Sequence, residues 1–151
     1  WFSRGNHEKR WLDWSLGKMN MQQLFNLTGV TKGYTTTIND YMILNNDWFL
    51  CHPRNYSQIP LNVARKLAGK YQRNIINTHG HFSAEGYDLS GKYHIFDIGG
   101  LFDRTKIEYI QNTSTFPMLI NGFLHLKDGK PRLISNIGNG TGIEKLIGKG
   151  K

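Results

Sequence analysis

An apolar run, an amphipathic stretch and a second apolar run constrain the fold of this chain more than any other feature. Trp48 to Cys51 is apolar and closes on His52 and Pro53. Ile59 to Tyr71 places Leu61, Ala64, Leu67, Ala68 and Tyr71 at helical spacing, which makes one apolar face. Pro60 suits the first turn of such a helix, and Arg65, Lys66 and Lys70 fall mostly on its solvent side. Asn74 to Thr78 reads as a short buried strand that delivers His79-Gly80-His81 into a loop. Strand, helix and strand in this order predict a βαβ crossover. His52 then emerges at the carboxyl end of its strand, where α/β sheets place their sites, although a histidine at a strand end is ordinarily a surface residue.

The remaining chain is compatible with a mixed α/β domain that turns β-rich towards its end. Glu8 to Leu16 reads as a short helix with Gly17 as its C-cap. Glu8 stands in the first turn, where the helix dipole favours a carboxylate, so its role reads as structural rather than catalytic. Asn20 is positioned to cap a second helix, Met21 to Leu27, ended by Gly29. Tyr34 to Ile38 reads as a Thr-rich strand. Met42 to Leu44 and Trp48 to Cys51 flank Asn45-Asn46-Asp47 and predict a hairpin. Tyr93 to Ile98, ending in Gly99-Gly100, and Lys106 to Gln111 read as strands. Phe123 to Leu126 and Pro131 to Ser135 flank Asp128-Gly129, a strong hairpin signal. His94 and His125 fall inside these strands and are assigned to packing or surface. Gly138 to Gly142 lacks the lysine pattern and the strand-loop-helix context of a phosphate loop and is discounted.

Near the start lies a dense group of functional residue types, Arg4-Gly5-Asn6-His7-Glu8. Gly5 permits a tight turn. Asn6 offers a carbonyl oxygen to a hard or borderline cation. His7 exchanges a proton near neutral pH. Arg4 presents a planar fork that matches a phosphate. Metal oxygen, proton carrier and phosphate clamp so close together point to phosphoester chemistry, while the same residues also fit a polar turn with a surface histidine.

Arg-Gly-Asn-His-Glu, then a strand ending in His52, then a strand followed by Gly80-His81 resembles the calcineurin-like metallophosphoesterases. The resemblance is closest to the branch holding the protein Ser/Thr phosphatases and the phage-type protein phosphatases. Tyr93 to Phe102 looks like that branch's strand and glycine turn. The resemblance covers nearly the whole chain as a C-terminal portion of the family's domain. It implies a four-layer α-β-β-α sandwich of two mixed sheets, with residues 1–135 as that portion and 136–151 as a Gly/Lys-rich tail. It further implies two divalent metal ions in the full-length protein, Mn²⁺ first, with Fe and Zn²⁺ also admitted by the ligand types. One of the two metals would take Asn6, His52 and His81. His7 matches the catalytic histidine and Arg4 the phosphate contact. Arg54 is a weaker phosphate candidate by proximity to His52. His79 stays open: it is either a ligand beside His81 or a group that supports the ligands or faces substrate, and the reading favours His81 alone as the ligand.

The departures from the family pattern matter as much. No Asp-x-His and no Gly-Asp occurs in the sequence, and these would supply the other metal. The chain starts at Trp1 rather than Met, so truncation is the expected reason for the gap, ahead of degeneration. The expectation is an enzyme at full length and an inactive fragment. The spacings from Asn6 to His52 and from His52 to His81 are short for the family, which implies reduced loops. The substrate expected is a phosphomonoester, including phosphoprotein. Alternatives are a nucleic-acid end-processing phosphatase or nuclease of the same superfamily, and a non-catalytic domain that retains the fold.

Composition sets the outer bounds. The chain has 151 residues, enough for one core. Its net charge of +8 favours an anionic partner, phosphorylated substrate or nucleic acid. The single cysteine, Cys51, excludes an internal disulfide and fits a small buried hydrophobe in a reducing compartment. No apolar run approaches the roughly 20 residues of a membrane span, and the expected location is cytoplasmic. The oligomeric state is not legible.

Overall fold

The structure, a computed structural model, describes residues 5–27, 29, 32, 39–103 and 119–135. Over these the chain is mixed α/β. It holds α1 (Asn6–Trp14), α2 (Met21–Leu27), β1 (Tyr41–Leu44), β2 (Trp48–Cys51), α3 (Asn62–Tyr71), β3 (Asn74–Asn77), β4 (Ser83–Tyr87), β5 (His94–Ile98), β6 (Gly122–Lys127) and β7 (Lys130–Ser135). The first five strands form one mixed sheet in the order β1-β2-β3-β5-β4, and β6 and β7 form a two-stranded antiparallel sheet. Among the described residues no helix is long and apolar enough to cross a membrane.

The βαβ crossover is present: β2 and β3 are adjacent and parallel, with α3 between them in sequence. Strand alternation gives each face of the large sheet its own core. Phe49, Cys51, Ile75 and Ile95 point to one face and close on Ala64 and Ala68 of α3. Trp48, Ile76 and Phe96 point to the other and meet Leu124, Leu126 and Leu133 of the small sheet. The layers are therefore helix, large sheet, small sheet. The alanines on α3 are fully buried, which lets the helix approach the strands closely. Each fully buried aliphatic or aromatic side chain contributes roughly 1.5–3 kcal/mol, so Ile75, Ile95 and Phe96 anchor both faces.

Local chemistry accounts for most of the boundaries. Asn20 caps α2 reciprocally with Gln23: Gln23 N–H donates to Asn20 Oδ1 and Asn20 N–H to Gln23 Oε1, both at 2.9 Å. Asn45 and Asn46 both take positive φ, 50° and 58°, in the β1–β2 turn, the conformation that tight hairpins favour. Three boundaries differ from expectation. Helix α1 starts at Asn6 and ends at Trp14, two residues earlier at each end, because Glu8 closes its N-terminus and Leu16 (φ 51°) and Gly17 (φ 78°) have left the helical path. Helix α3 starts at Asn62, not Ile59, because Leu61 is left-handed (φ 64°); Pro60 precedes the helix instead of sitting in its first turn. Strand β4 was not anticipated, since Ser83-Ala84-Glu85-Gly86-Tyr87 has little intrinsic strand preference. It forms as an edge strand because β5 offers a full antiparallel register. The strands read at 34–38 and 106–111, the Gly138–Gly142 stretch and the tail from Asn136 lie outside the described residues.

Gly99 ties the two sheets together behind the loop after β3. Its φ is +77°, and a Cβ there would stand 2.5 Å from the carbonyl oxygen of Ile120. Ile120 N–H in turn donates to the carbonyl of His81 at 3.0 Å. Gly99→Ala is expected to destabilise the chain by about 1–3 kcal/mol from left-handed strain alone, more with the clash. Urea denaturation of both forms measures this, and an unchanged midpoint would show that the junction yields freely.

Candidate metal centre

The parallel pairing of β2 and β3 aligns Cys51 with Asn77, so the residues that follow, His52 and Thr78, leave the sheet side by side. Thr78 donates through both its N–H and its hydroxyl to the Cys51 carbonyl, each at 3.1 Å. The hydroxyl has a single proton. With that proton committed to Cys51, Thr78 Oγ1 is an acceptor for His52 Nδ1, 3.1 Å away. This assigns His52 the tautomer with the proton on Nδ1 and makes Nε2 an acceptor. Facing it at 2.9 Å is Nδ1 of His79, with the two rings edge to face.

His79 is held from the buried side. Its N–H donates to Asn77 Oδ1 at 3.0 Å. Asn77 Nδ2 donates to Asp97 Oδ1 at 2.6 Å, and Leu61 N–H donates to Asp97 Oδ2 at 2.5 Å. Asn77 and Asp97 are register partners on β3 and β5, each only 3% exposed. One carboxylate thus joins the start of α3, two strands and the histidine loop. Burial raises the Asp97 pKa above the usual carboxylate range, against the lowering effect of its two hydrogen bonds. The same buried region pushes the Cys51 thiol up to about 12, through desolvation and then the Asp97 charge, so Cys51 is a packing residue and not a reactive thiolate.

The first turn of α1 seats itself against this pair. A Cβ on Gly5 would lie 3.7 Å from Cε1 and Nδ1 of the His52 ring and 2.7 Å from Glu8 Oε2. A side chain at Gly5 would thus meet the His52 ring only in ordinary contact, and it would have to move Glu8, which spends its carboxylate on Gly5 N–H at 3.0 Å, the structural role expected of it. Asn6 and His7 open the helix instead of forming a turn before it. His7 is exposed and acts electrostatically on both His79 and His81. His81 takes a left-handed φ of 57° and is half-buried, its ring 5.6 Å from that of Phe102.

Of the residues expected from sequence, His7, His52, His79 and His81 converge. The direct contact of His52 falls on His79, where the sequence reading favoured His81. Arg54 points elsewhere: its side chain is 77% exposed and its Nε lies 3.9 Å from Asp40. Arg4 lies outside the described residues. His94 stacks on Tyr87, with centroids 4.7 Å apart, and His125 sits in the β6–β7 hairpin, both as expected. The sequence reading missed Thr78, Asn77 and Asp97. A lone aspartate inside the apolar strand His94–Ile98 was the available signal for the last of these.

All three half-buried imidazoles are biased towards the neutral form. His52 is lowered to about 4, first by desolvation and then by His79. His79 is lowered by desolvation and His7, and His81 by desolvation, His79 and His7. Neutral imidazole is the metal-binding state. At 2.9 Å the His52–His79 contact is an N–H···N hydrogen bond, in which His79 Nδ1 donates to the unprotonated His52 Nε2. Among the described residues, no set of three His, Cys, Asp or Glu side chains is gathered to hold a metal ion. No protein-family model, curated protein or solved structure matches the chain.

Two outcomes follow for the metal-free chain. The depressed histidines bind fewer protons folded than unfolded, so stability is present above pH about 6.5 and is lost as pH falls from there towards 4, the value of His52. Around His52 the facing charged groups are His79, His81, Glu8 and Asp40; His52→Asn should flatten this limb of a denaturation midpoint plotted against pH, and an equally steep limb would remove His52 as its source. Asp97→Asn should cost about 1–3 kcal/mol, because an amide NH₂ must then face either the Leu61 N–H or the Asn77 amide. A thermal or urea midpoint equal to that of the parent chain would show that the carboxylate joins nothing.

Proposed function

We propose that this chain carries the histidine half of a metal-dependent phosphoesterase site, in a protein of the calcineurin-like metallophosphoesterase kind. The observation that carries the reading is the His52–His79 pair: two imidazoles biased towards the neutral form and hydrogen-bonded nitrogen to nitrogen, one of them oriented by Thr78. The helix-sheet-sheet layering supports the proposed four-layer sandwich, and the order of Gly5-Asn6-His7, His52 and His79-Gly80-His81 around one sheet end supports the family assignment.

In this reading His52 and His79 are the primary imidazole ligands, with His81 and Asn6 as the further candidates. A divalent metal ion, Mn²⁺ by preference, would supply Lewis acidity towards a phosphoryl oxygen and activation of water. The chain's own residues do the rest. Thr78 fixes the His52 tautomer so that Nε2 faces the site. Asn77 and Asp97 fix the backbone from which His79 projects. His7, exposed at the edge of the cluster, delivers a proton to the leaving oxygen. Arg4 holds the phosphate as a planar donor. A second metal would need ligands of the Asp-x-His and Gly-Asp kind, which this sequence does not contain.

The direct test is Mn²⁺ titration of the chain followed by electron paramagnetic resonance, which reads metal binding without requiring turnover. The parent chain should deplete the free Mn²⁺ signal. His52→Asn with His79→Asn should abolish the depletion, and Thr78→Val should weaken affinity about 10–100-fold with little change in folding. A folded parent chain that takes up neither Mn²⁺ nor Zn²⁺ would sink the reading. p-Nitrophenyl phosphate hydrolysis that needs metal and collapses in His7→Ala would extend it to catalysis.

A further inference from the structure

Two separate frames hold the half-buried histidines. His52 and His79 hang on Thr78, Asn77 and Asp97, all of the large sheet or the residue that follows its strand β3. His81 is held by the junction between the two sheets instead. Its carbonyl accepts Ile120 N–H at 3.0 Å. Its ring meets that of Phe102, with centroids 5.6 Å apart and planes inclined by 48°, within the range in which aromatic pairs attract. His81 also takes a left-handed φ of 57°, a conformation that a residue with a Cβ keeps only where its surroundings enforce it.

Asn121 places Phe102. Phe102 N–H donates to Asn121 Oδ1 at 3.1 Å, and Asn121 Nδ2 donates to the Phe102 carbonyl at 2.9 Å. Residues 101–103 belong to no strand, so the amide side chain serves the Phe102 backbone as a neighbouring strand would, one donor and one acceptor satisfied. The backbone beside it is fixed as well: Gly100 N–H donates to the Ile120 carbonyl at 3.1 Å, and Gly122 N–H donates to the Gly100 carbonyl at 2.9 Å. A Cβ at Gly100 would stand 2.4 Å from the Phe102 ring. The ring therefore lies where a side chain at position 100 would stand, within reach of His81.

We propose that Asn121 and Phe102 are positioning residues for His81: the Asn121 amide fixes the Phe102 backbone, and the Phe102 ring fixes the imidazole of His81 as a further ligand of the metal site. The proposal rests on the phosphoesterase reading of the histidine cluster. It gives the small sheet a part in that site, since Asn121 and Ile120 lead into β6 and the residues they hold lie beyond β5. His52 and His79 do not depend on this frame, so its loss should be felt at His81 alone.

The test is a proton–nitrogen correlation spectrum of the histidine rings in the isotope-labelled chain, with and without Zn²⁺, beside a Zn²⁺ titration against a chelating dye. In the parent chain Zn²⁺ should shift a ring nitrogen of His52, of His79 and of His81. Phe102→Leu removes the ring and keeps the backbone that Asn121 holds. Asn121→Asp keeps the shape and sets a carboxylate oxygen against the Phe102 carbonyl. Each variant should lose the His81 shift, keep those of His52 and His79, and weaken Zn²⁺ binding about 10–100-fold. Phe102→Tyr, which keeps a ring, should behave as the parent. Leu133→Ala removes packing against the core of Trp48, Ile76 and Phe96 without touching the clamp, and should keep all three shifts. A His81 shift that survives in Phe102→Leu or in Asn121→Asp, or that Leu133→Ala removes as fully as they do, would overturn the proposal. Zn²⁺ that shifts His52 and His79 but not His81 in the parent chain removes the positioning role alone. A folded parent chain in which Zn²⁺ shifts no histidine removes the phosphoesterase reading and the positioning role with it.

Discussion

The hydrogen bond between Asn77 and Asp97 is where the fold and the candidate site become one problem. Both side chains are buried on the α3 face of the large sheet, a place where an unpaired carboxylate or amide costs several kcal/mol. Each is kept there by partners that matter elsewhere. Asp97 receives Leu61 N–H and so sets where α3 begins, and Asn77 receives His79 N–H and so sets where the histidine loop leaves the strand. Replacing Asp97 with an apolar residue would release the helix start, and replacing Asn77 would release the loop. A polar pair in an otherwise apolar layer is thus explained by what it fixes in place rather than by the stability it adds.

The same logic runs through the neighbouring pair of residues. Parallel pairing brings Cys51 and Asn77 opposite one another, and the two residues after them, His52 and Thr78, inherit that alignment without further design. Thr78 then converts position into chemistry. By giving its proton to the Cys51 carbonyl it can only accept from His52, which decides which imidazole nitrogen faces the site. A valine of the same shape would keep the strand and lose the tautomer. The first turn of α1 comes against the His52 ring from the other side, at Gly5.

The fold was legible in the sequence wherever periodicity and turn chemistry agree. Strands β2 and β3, the α3 face built on Ala64 and Ala68, the Asn45-Asn46 turn and the Asn20 cap follow from residue type and spacing. What failed was whatever depends on a partner distant in sequence. The start of α3 is set by Asp97, 36 residues away, and β4 exists because β5 pairs with it. The site was legible as a set of histidines but not as a geometry. His81 carries the glycine that makes a motif, yet it is His79 that meets His52, since the loop's direction is dictated by Asn77 and by the left-handed turn at His81. Neither constraint has a local signature.

Electrostatics argues that this cluster is built for something other than folding. Gathering His7, His52, His79 and His81 within mutual range, and half-burying three of them, costs stability whenever the pH lets an imidazole charge, because each one disfavours protonation of the next. Apolar residues at these loop positions would remove that cost. In the proposed reading that cost has a use: a metal ion would take neutral imidazole nitrogens, and the tautomer that Thr78 fixes on His52 would present Nε2 to it.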